Sequence, residues 1–265
     1  MITSLSNPKI KFLRKLRNKK HRDESQLFYI EGPRIVFEAF NEGWKFSQVF
    51  YNQEMISDNF TKELVNRLLV SDIDCYEVEK HIFESISIKD GPKGIAAILH
   101  QRTFNLDEIS KNAGIWVGLD RIQDPGNLGS IIRTIDAIGG KGIILINNCT
   151  DPYDISSIRG SMGSIFSLRI IKSDSNTFIN FVTKNKLTLI GTSDKAKTDY
   201  QSVNYDKETI LLMGSEREGL STSLLNACDK LISIPMIGKN DSLNVAIATS
   251  VCLYEIFNQN RKKNL

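Results

Sequence analysis

Long hydrophobic runs are missing from this sequence: no stretch approaches the roughly 18 apolar residues that a membrane-crossing helix needs. The opening residues, "MITSLSNPKIKFLRKLRNKK", hold no apolar core followed by a small-residue cleavage site. They do not read as a secretory signal, and a cytoplasmic location is expected. Cysteine is scarce and scattered. Cys75, Cys149, Cys228 and Cys252 form no C-x-x-C pair and have no histidine at ligand spacing, which argues against zinc and against a disulfide framework. Reduced structural thiols and no bound metal are expected. The dinucleotide fingerprint G-x-G-x-x-G is absent, which counts against a nicotinamide enzyme. Internal repeats and low-complexity segments are missing too. Neither sign of charge dominates, since 34 Lys and Arg face 31 Asp and Glu for a formal net charge of +3.

What is present is an alternation of strand-like and helix-like segments. A chain of 265 residues is too long for one small core and divides most easily into two α/β units. In the first, "LFYIEG", "SQVFYN", "DCYEV" and "GIAAILH" read as strands, and "PRIVFEAFNEG", "NFTKELVNRLLV" and "EKHIFESIS" as helices. This unit is expected over residues 1–100, with "QRTFNLDEISKNAG" falling in a linker at 101–113. The second unit, 114–265, has strand candidates "GIWVGL", "GIILIN", "SLRII", "LTLIGT", "TILLMG" and "LISIPM". Continuous apolar strands separated by helices imply a mostly parallel sheet covered on both faces. The last helix, "SLNVAIATSVCLYEIFNQ", is apolar almost all round, so it is expected to pack on a second subunit as well as on its own sheet.

The charge is unevenly distributed. Lys9, Lys11, Arg14, Lys15, Arg17, Lys19, Lys20 and Arg22 occur with no acid among them, and Ile10, Phe12, Leu13 and Leu16 are interleaved at helical spacing. One side of such a helix packs while the other presents charge to the phosphates of a polyanion. A plain solvated face is the alternative.

Three loops follow strands and precede helices, where unpaired N–H groups and helix dipoles gather ligands. In "DPGNLGSIIRTIDAIGG", Asn127 reads as the helix cap and Gly139 and Gly140 as the stop. Leu128, Ile131, Ile132, Ile135 and Ile138 form a core-facing stripe. Arg133 lies off that stripe, four residues after Gly129, whose missing side chain is expected to leave room for a substrate. In "MGSEREGLS", Gly214 and Gly219 bracket Glu216, and Ser221 is placed to cap the next helix. In "IPMIGKNDSLNVAIA", Pro235 ends a strand and Ser242 and Asn244 open the apolar helix. An asparagine there needs a hydrogen-bonding partner, because an unsatisfied buried amide costs roughly 1–3 kcal/mol.

In this order and spacing, "NLGSIIR", "GSEREGL" and "IPMIGKNDSLNVAIA" resemble the three signature motifs of the SpoU/TrmH-type RNA ribose 2′-O-methyltransferases of the SPOUT superfamily. "FYIEGPRIVFEAF" also resembles the RNA substrate-binding domain that precedes many of them. The resemblance implies a deep trefoil knot in the C-terminal domain, although knots are almost absent from proteins. It further implies a bent S-adenosylmethionine held by Thr192, Met213, Gly214, Ile234, Met236, Leu243 and Asn244, and a homodimer packed through the C-terminal domain. Arg133 matches the family's catalytic arginine. A guanidinium stays charged near neutrality, so Arg133 is expected to orient and polarise the ribose 2′-OH while Asn127, Glu216, Ser242 and Asn244 hold the geometry. Lys9, Lys11, Arg14, Lys15, Arg17, Lys19 and Lys20 then become RNA contacts. Ribosomal RNA is the preferred substrate, because the added N-terminal domain resembles those of rRNA-modifying members. A tRNA 2′-O-methyltransferase, a non-catalytic RNA-binding protein of the same fold and a nucleotide-dependent metabolic enzyme are the alternatives. One departure stands out: Arg217 occupies a position where relatives usually have glycine.

Overall fold

The computed structural model describes residues 1–88 and 92–263, which fall into two compact units. The first is Met1–Arg102 with Tyr153–Phe166, and the second is Thr103–Pro152 with Ser167–Leu265.

In the first unit the basic segment forms two helices, α1 (Pro8–Lys15) and α2 (Lys19–Ser25), where the spacing suggested one. Each has its own cap: Asn7 accepts from Lys9 N and Asn18 from Lys20 N, both at 2.9 Å. Ile10, Leu13 and Leu16 are buried as the periodicity predicts. Arg22 is only 3% exposed. Its guanidinium donates to the carbonyls of Leu16 and Arg17, each at 2.9 Å, and pairs with Asp154 at 3.6 Å. A buried cation needs such partners, so Arg22 fastens the break between the helices and does not face a polyanion.

The next elements follow the predicted order: β1 (Leu27–Glu31), α3 (Pro33–Asn41), β2 (Phe46–Tyr51), α4 (Asn59–Leu69), β3 (Cys75–Glu77), α5 (Lys80–Ile86) and β4 (Ile95–His100). They build a mixed sheet in the order β1-β4-β2-β3, with β4 antiparallel to both neighbours and β2 parallel to β3. Because β4 is internal, its run Ile95 to Leu99 is buried throughout.

The stretch expected as a linker carries α6 (Asp107–Lys111), with Ile109 buried and Phe104 bridged to Ile171. After it come β5 (Trp116–Asp120), α7 (Pro125–Ala137), β6 (Gly142–Ile146), α8 (Ile155–Ser161), β7 (Arg169–Ser173), α9 (Ser175–Asn185) and β8 (Thr188–Thr192). The chain continues with β9 (Thr198–Asp199), β10 (Thr209–Met213), α10 (Thr222–Ala227), β11 (Lys230–Ser233) and α11 (Val245–Lys262). The α8 segment belongs to the first unit. Tyr153 stacks near Phe28 with ring centroids 4.6 Å apart, and Trp44 Nε1 donates to the Phe166 carbonyl at 2.9 Å.

The seven strands of the second unit run in the order β7-β6-β5-β10-β8-β11-β9, and every recorded pairing is parallel. The mostly parallel sheet implied by the strand composition is what forms. Phe178, Val182 and Leu224 of α9 and α10 join Ile144, Ile146, Ile210 and Leu212 in one cluster on one face. Side chains of opposite parity, among them Val117, Leu119, Ile143 and Leu211, are buried on the other face, which leaves α7 and α11 to cover it. These two helices run side by side in parallel, since Asn127 meets Asn244 at their starts and Thr134 Oγ1 lies 2.9 Å from Ser250 Oγ further along.

Two details differ from expectation. The cap of α7 is Asp124, whose Oδ1 accepts from Asn127 N at 2.7 Å, because Pro125 lacks an N–H and fits the first helical position. Asn127 therefore sits inside the first turn with its side chain free for other work. Ser221 occupies the cap position of α10 but makes no side-chain capping bond.

Candidate active site

Parallel strands β5, β10, β8 and β11 are neighbours, so the loops leaving their carboxyl ends gather at one edge of the sheet. The loop after β10 is a tight turn. Ser215 N donates to Gly219 O at 3.2 Å and Gly219 N to Ser215 O at 3.0 Å, leaving Glu216, Arg217 and Glu218 at the tip. A Cβ on Gly214 would overlap the backbone of Gly219 and Leu220, so only glycine lets the turn close.

The two glutamates of the tip are tied down. Asn127 Nδ2 donates to Glu216 Oε1 at 2.8 Å, and Asn244 Nδ2 donates to Asn127 Oδ1 at 3.0 Å. Asn244 also caps α11, its Oδ1 accepting from Ala246 N at 2.9 Å and Ile247 N at 3.4 Å. The hydrogen-bonding partner that Asn244 required is thus Asn127, and three residues from three loops form one chain of bonds. Glu216 lies against the first turn of α7, where the helix dipole favours a carboxylate.

Sequence reasoning missed a second fastening. Arg121 pairs with Glu218, donates to Gly219 O at 3.2 Å and lies 3.3 Å from Asp120 Oδ1. Asp120 is fully buried at the end of β5 and accepts from Asn147 Nδ2 at 2.7 Å and Ser221 N at 2.9 Å. Arg121 takes φ +60, a left-handed conformation that costs a non-glycine residue energy. An acid followed by a base at the end of a buried strand was the available signal.

Between the loops after β8, β10 and β11 and the start of α11 lies a cavity of about 460 Å³. Thr192, Met213, Gly214, Ile234, Met236 and Leu243, expected to hold a cofactor, all line it, as do Glu216 and Ser242. Asn244 stands outside the lining and reaches the site through Asn127. Apolar Leu220, Ile232 and Val245 form part of the wall. Among the described residues, backbone groups of 234–243 make no backbone hydrogen bonds, so their N–H and C=O groups are free to meet a ligand. A cavity with an apolar wall and a polar, partly charged rim, edged by free backbone donors and acceptors, fits the adenosyl group of S-adenosylmethionine, and the volume suits a ligand of that size.

Arg133 is placed differently. It is exposed on α7, on the face that carries Gly126, Ser130 and Ala137, and does not line the cavity. Gly129 is buried, so the gap expected over it is not open within one chain. In the N-terminal segment, Arg17 donates to the carbonyls of Ser85, Ile86 and Ser87 at the end of α5. Lys9 lies over the Tyr76 ring, 4.3 Å from its centroid. Lys19 and Lys20 pair loosely with Asp23 and Glu24 at 3.7 and 3.9 Å.

A parallel α/β sheet with a cavity at its carboxyl edge is the frame of a protein that binds a small ligand or cofactor there. The SpoU rRNA Methylase family matches residues 114–254, and the MRM3-like substrate binding domain matches residues 7–97. The chain is 28% identical over 257 residues to the 23S rRNA guanosine 2′-O-methyltransferase RlmP of Bacillus subtilis, covering 96% of this chain and 98% of that one. The crystal structure of AdoMet-bound rRNA methyltransferase from Sinorhizobium meliloti is 34% identical with a TM-score of 0.87, covering 100% of this chain and 98% of that one. The AdoMet complex of the SpoU methyltransferase AviRb from Streptomyces viridochromogenes gives 28% and 0.88, covering 96% and 98%. The chain belongs to the SpoU rRNA methylase family and is a methyltransferase of the SpoU/TrmH type.

Proposed function

We propose that this protein moves the methyl group of S-adenosylmethionine to the 2′-hydroxyl of a ribosomal RNA nucleotide, releasing S-adenosylhomocysteine and the hydroxyl proton. The observation that carries the reading is the cavity between the loops after β8, β10 and β11, with Glu216 on its wall tied through Asn127 to Asn244 at the start of α11. When bound there, S-adenosylmethionine supplies the electrophilic methyl. Thr192, Met213, Gly214, Ile234, Met236 and Leu243 hold the cofactor, and Ser242 shapes the rim. Arg133 orients the acceptor hydroxyl and stabilises its developing negative charge. Since Arg133 stands away from its own chain's cavity, a second copy of this chain is part of the reading. The exposed stripe of Ile247 and Tyr254 on α11, 55% and 47% accessible, offers an apolar face for that copy. The chain around β11 and α11 is read as threading the trefoil knot.

Residues 1–100, with Tyr153–Phe166 packed into the same unit, serve as the RNA-binding domain and the rest of 114–265 as the methyltransferase, joined through 101–113, and the protein acts in the cytoplasm. Lys9, Lys11, Arg14, Lys15, Lys19 and Lys20 meet RNA phosphates, with Arg17 adding charge from its seat on α5. The loose pairs of Lys19 and Lys20 are worth only about 0–1 kcal/mol and exchange readily for phosphate. Ribosomal RNA is chosen over tRNA because RlmP and the Sinorhizobium protein are named for it and the N-terminal match is to a substrate-binding domain. Mapping ribose methylation in rRNA and tRNA from cells with and without the gene tests this. One 2′-O-methyl group should vanish from rRNA, and a loss confined to tRNA would refute the assignment.

A further inference from the structure

The tip of the loop after β10 carries three charged side chains, and only two are engaged. Glu216 is drawn to Asn127 at 2.8 Å, and Glu218 is paired with Arg121. Arg217, between them, is exposed, lines the cavity and makes no hydrogen bond or ion pair among the described residues. The turn that presents it is closed by two backbone hydrogen bonds and by the contact from Arg121 to Gly219 O. The backbone under this long cation is already ordered, so only the side chain must be fixed when it takes a ligand.

Position decides which ligand. Every side-chain link from this tip runs to the end of β5 or the start of α7, the side away from β8 and β11. The cofactor cavity extends the other way, where Thr192, Ser193, Ile232 and Ile234 line it and Lys195 supplies a cation of its own. Arg217 therefore stands at the boundary between the cavity and the helix that bears Arg133. A guanidinium there matches the two-pronged geometry of a phosphate.

We infer that Arg217 binds a backbone phosphate of the acceptor RNA next to the nucleotide that is methylated. This rests on the proposed function and adds a residue that the family motif, with its usual glycine, does not supply. The contact forms with substrate and not with cofactor, so it acts on RNA affinity.

The test uses the full-length protein with ribosomal RNA isolated from cells lacking the gene. For Arg217→Ala, the KM for RNA should rise about tenfold, as for one exposed charge-assisted contact. The slope of log affinity against log salt should flatten by about 0.7 to 0.9, the share of one phosphate. The Kd for S-adenosylmethionine, measured separately by calorimetry, should stay within about twofold. Arg217→Lys should retain the salt slope while recovering only part of the affinity, because a point charge replaces a fork. An unchanged RNA KM and salt slope would overturn the inference. So would a loss confined to S-adenosylmethionine affinity, which would give Arg217 to the cofactor's carboxylate. Absence of methyl transfer by the unsubstituted protein would instead refute the functional reading.

Discussion

Replacing Gly214 by alanine, the smallest possible addition, should cripple cofactor binding. The added Cβ would overlap the Gly219 and Leu220 backbone, which no rotamer change can relieve. Two responses are available to the chain. If the turn stays shut, strain of the overpacking kind costs about 1–3 kcal/mol. If it opens, the two Ser215–Gly219 hydrogen bonds are lost at roughly 0.5–1.5 kcal/mol each, which comes to the same range. Either way the wall of the cavity must be restored at that cost when the cofactor enters. An energy of about 1–3 kcal/mol corresponds to a Kd for S-adenosylmethionine raised about 5- to 140-fold. Calorimetric titration measures it, with circular dichroism showing that the fold persists. Gly214→Ala with a Kd within twofold of the parent would refute the argument that the turn must stay closed.

Three other outcomes are expected. Arg133→Ala should lower single-turnover methyl transfer by roughly 10²–10⁴ while cofactor Kd holds, with lysine restoring only part; a rate within a few-fold of the parent would leave Arg133 a surface residue. Neutralising Lys11, Lys15, Lys19 and Lys20 together should flatten the salt dependence of RNA binding, whereas Arg22→Ala should mainly lower the melting temperature, because Arg22 is buried and bonded. An unchanged salt slope in the first variant would return α1 and α2 to plain solvated helices. Burial pushes the thiols of Cys149 up to about 11 and of Cys228 and Cys252 up to about 12, from an ordinary 9.0. The folded state therefore favours the neutral thiols, and their stabilising effect is whole below about pH 9 and lost as pH climbs toward 11 to 12. Alkylation at pH 8 should be slow for these three until denaturant is added, and rapid labelling of native Cys228 would contradict the burial.

The parallel sheet was legible because strands buried on both faces carry continuous apolar runs, and β5, β6 and β10 are buried at every position and polar only at Asp120 and Thr209. The cavity wall was legible through glycine: Gly214 stands where two backbones meet, a demand that no other residue type meets. The cap of α7 was misplaced because Asn127 and Asp124 are both good caps, and the deciding factor was the proline between them. The basic segment was read as one helix because periodicity does not register a break where Asn18 starts a new one. Arg121 and Asp120 escaped notice because their partners lie about a hundred residues away, and long-range pairing of polar side chains leaves no periodic trace.

The return of Tyr153–Phe166 to the first unit governs the order in which this chain becomes folded. Until residue 166 has been synthesised, Phe28 and Trp44 lack the rings of Tyr153 and Phe166, and Arg22 lacks the carboxylate of Asp154. The N-terminal unit cannot finish on its own as it leaves the ribosome, as a contiguous domain would. It waits, with part of its apolar surface open, while β5, α7 and β6 of the other unit emerge in between. At about 5–20 residues per second the 64 residues from Thr103 to Phe166 impose a delay of roughly 3 to 13 seconds. A fragment ending near Arg102 should remain in that unfinished state permanently, prone to aggregate.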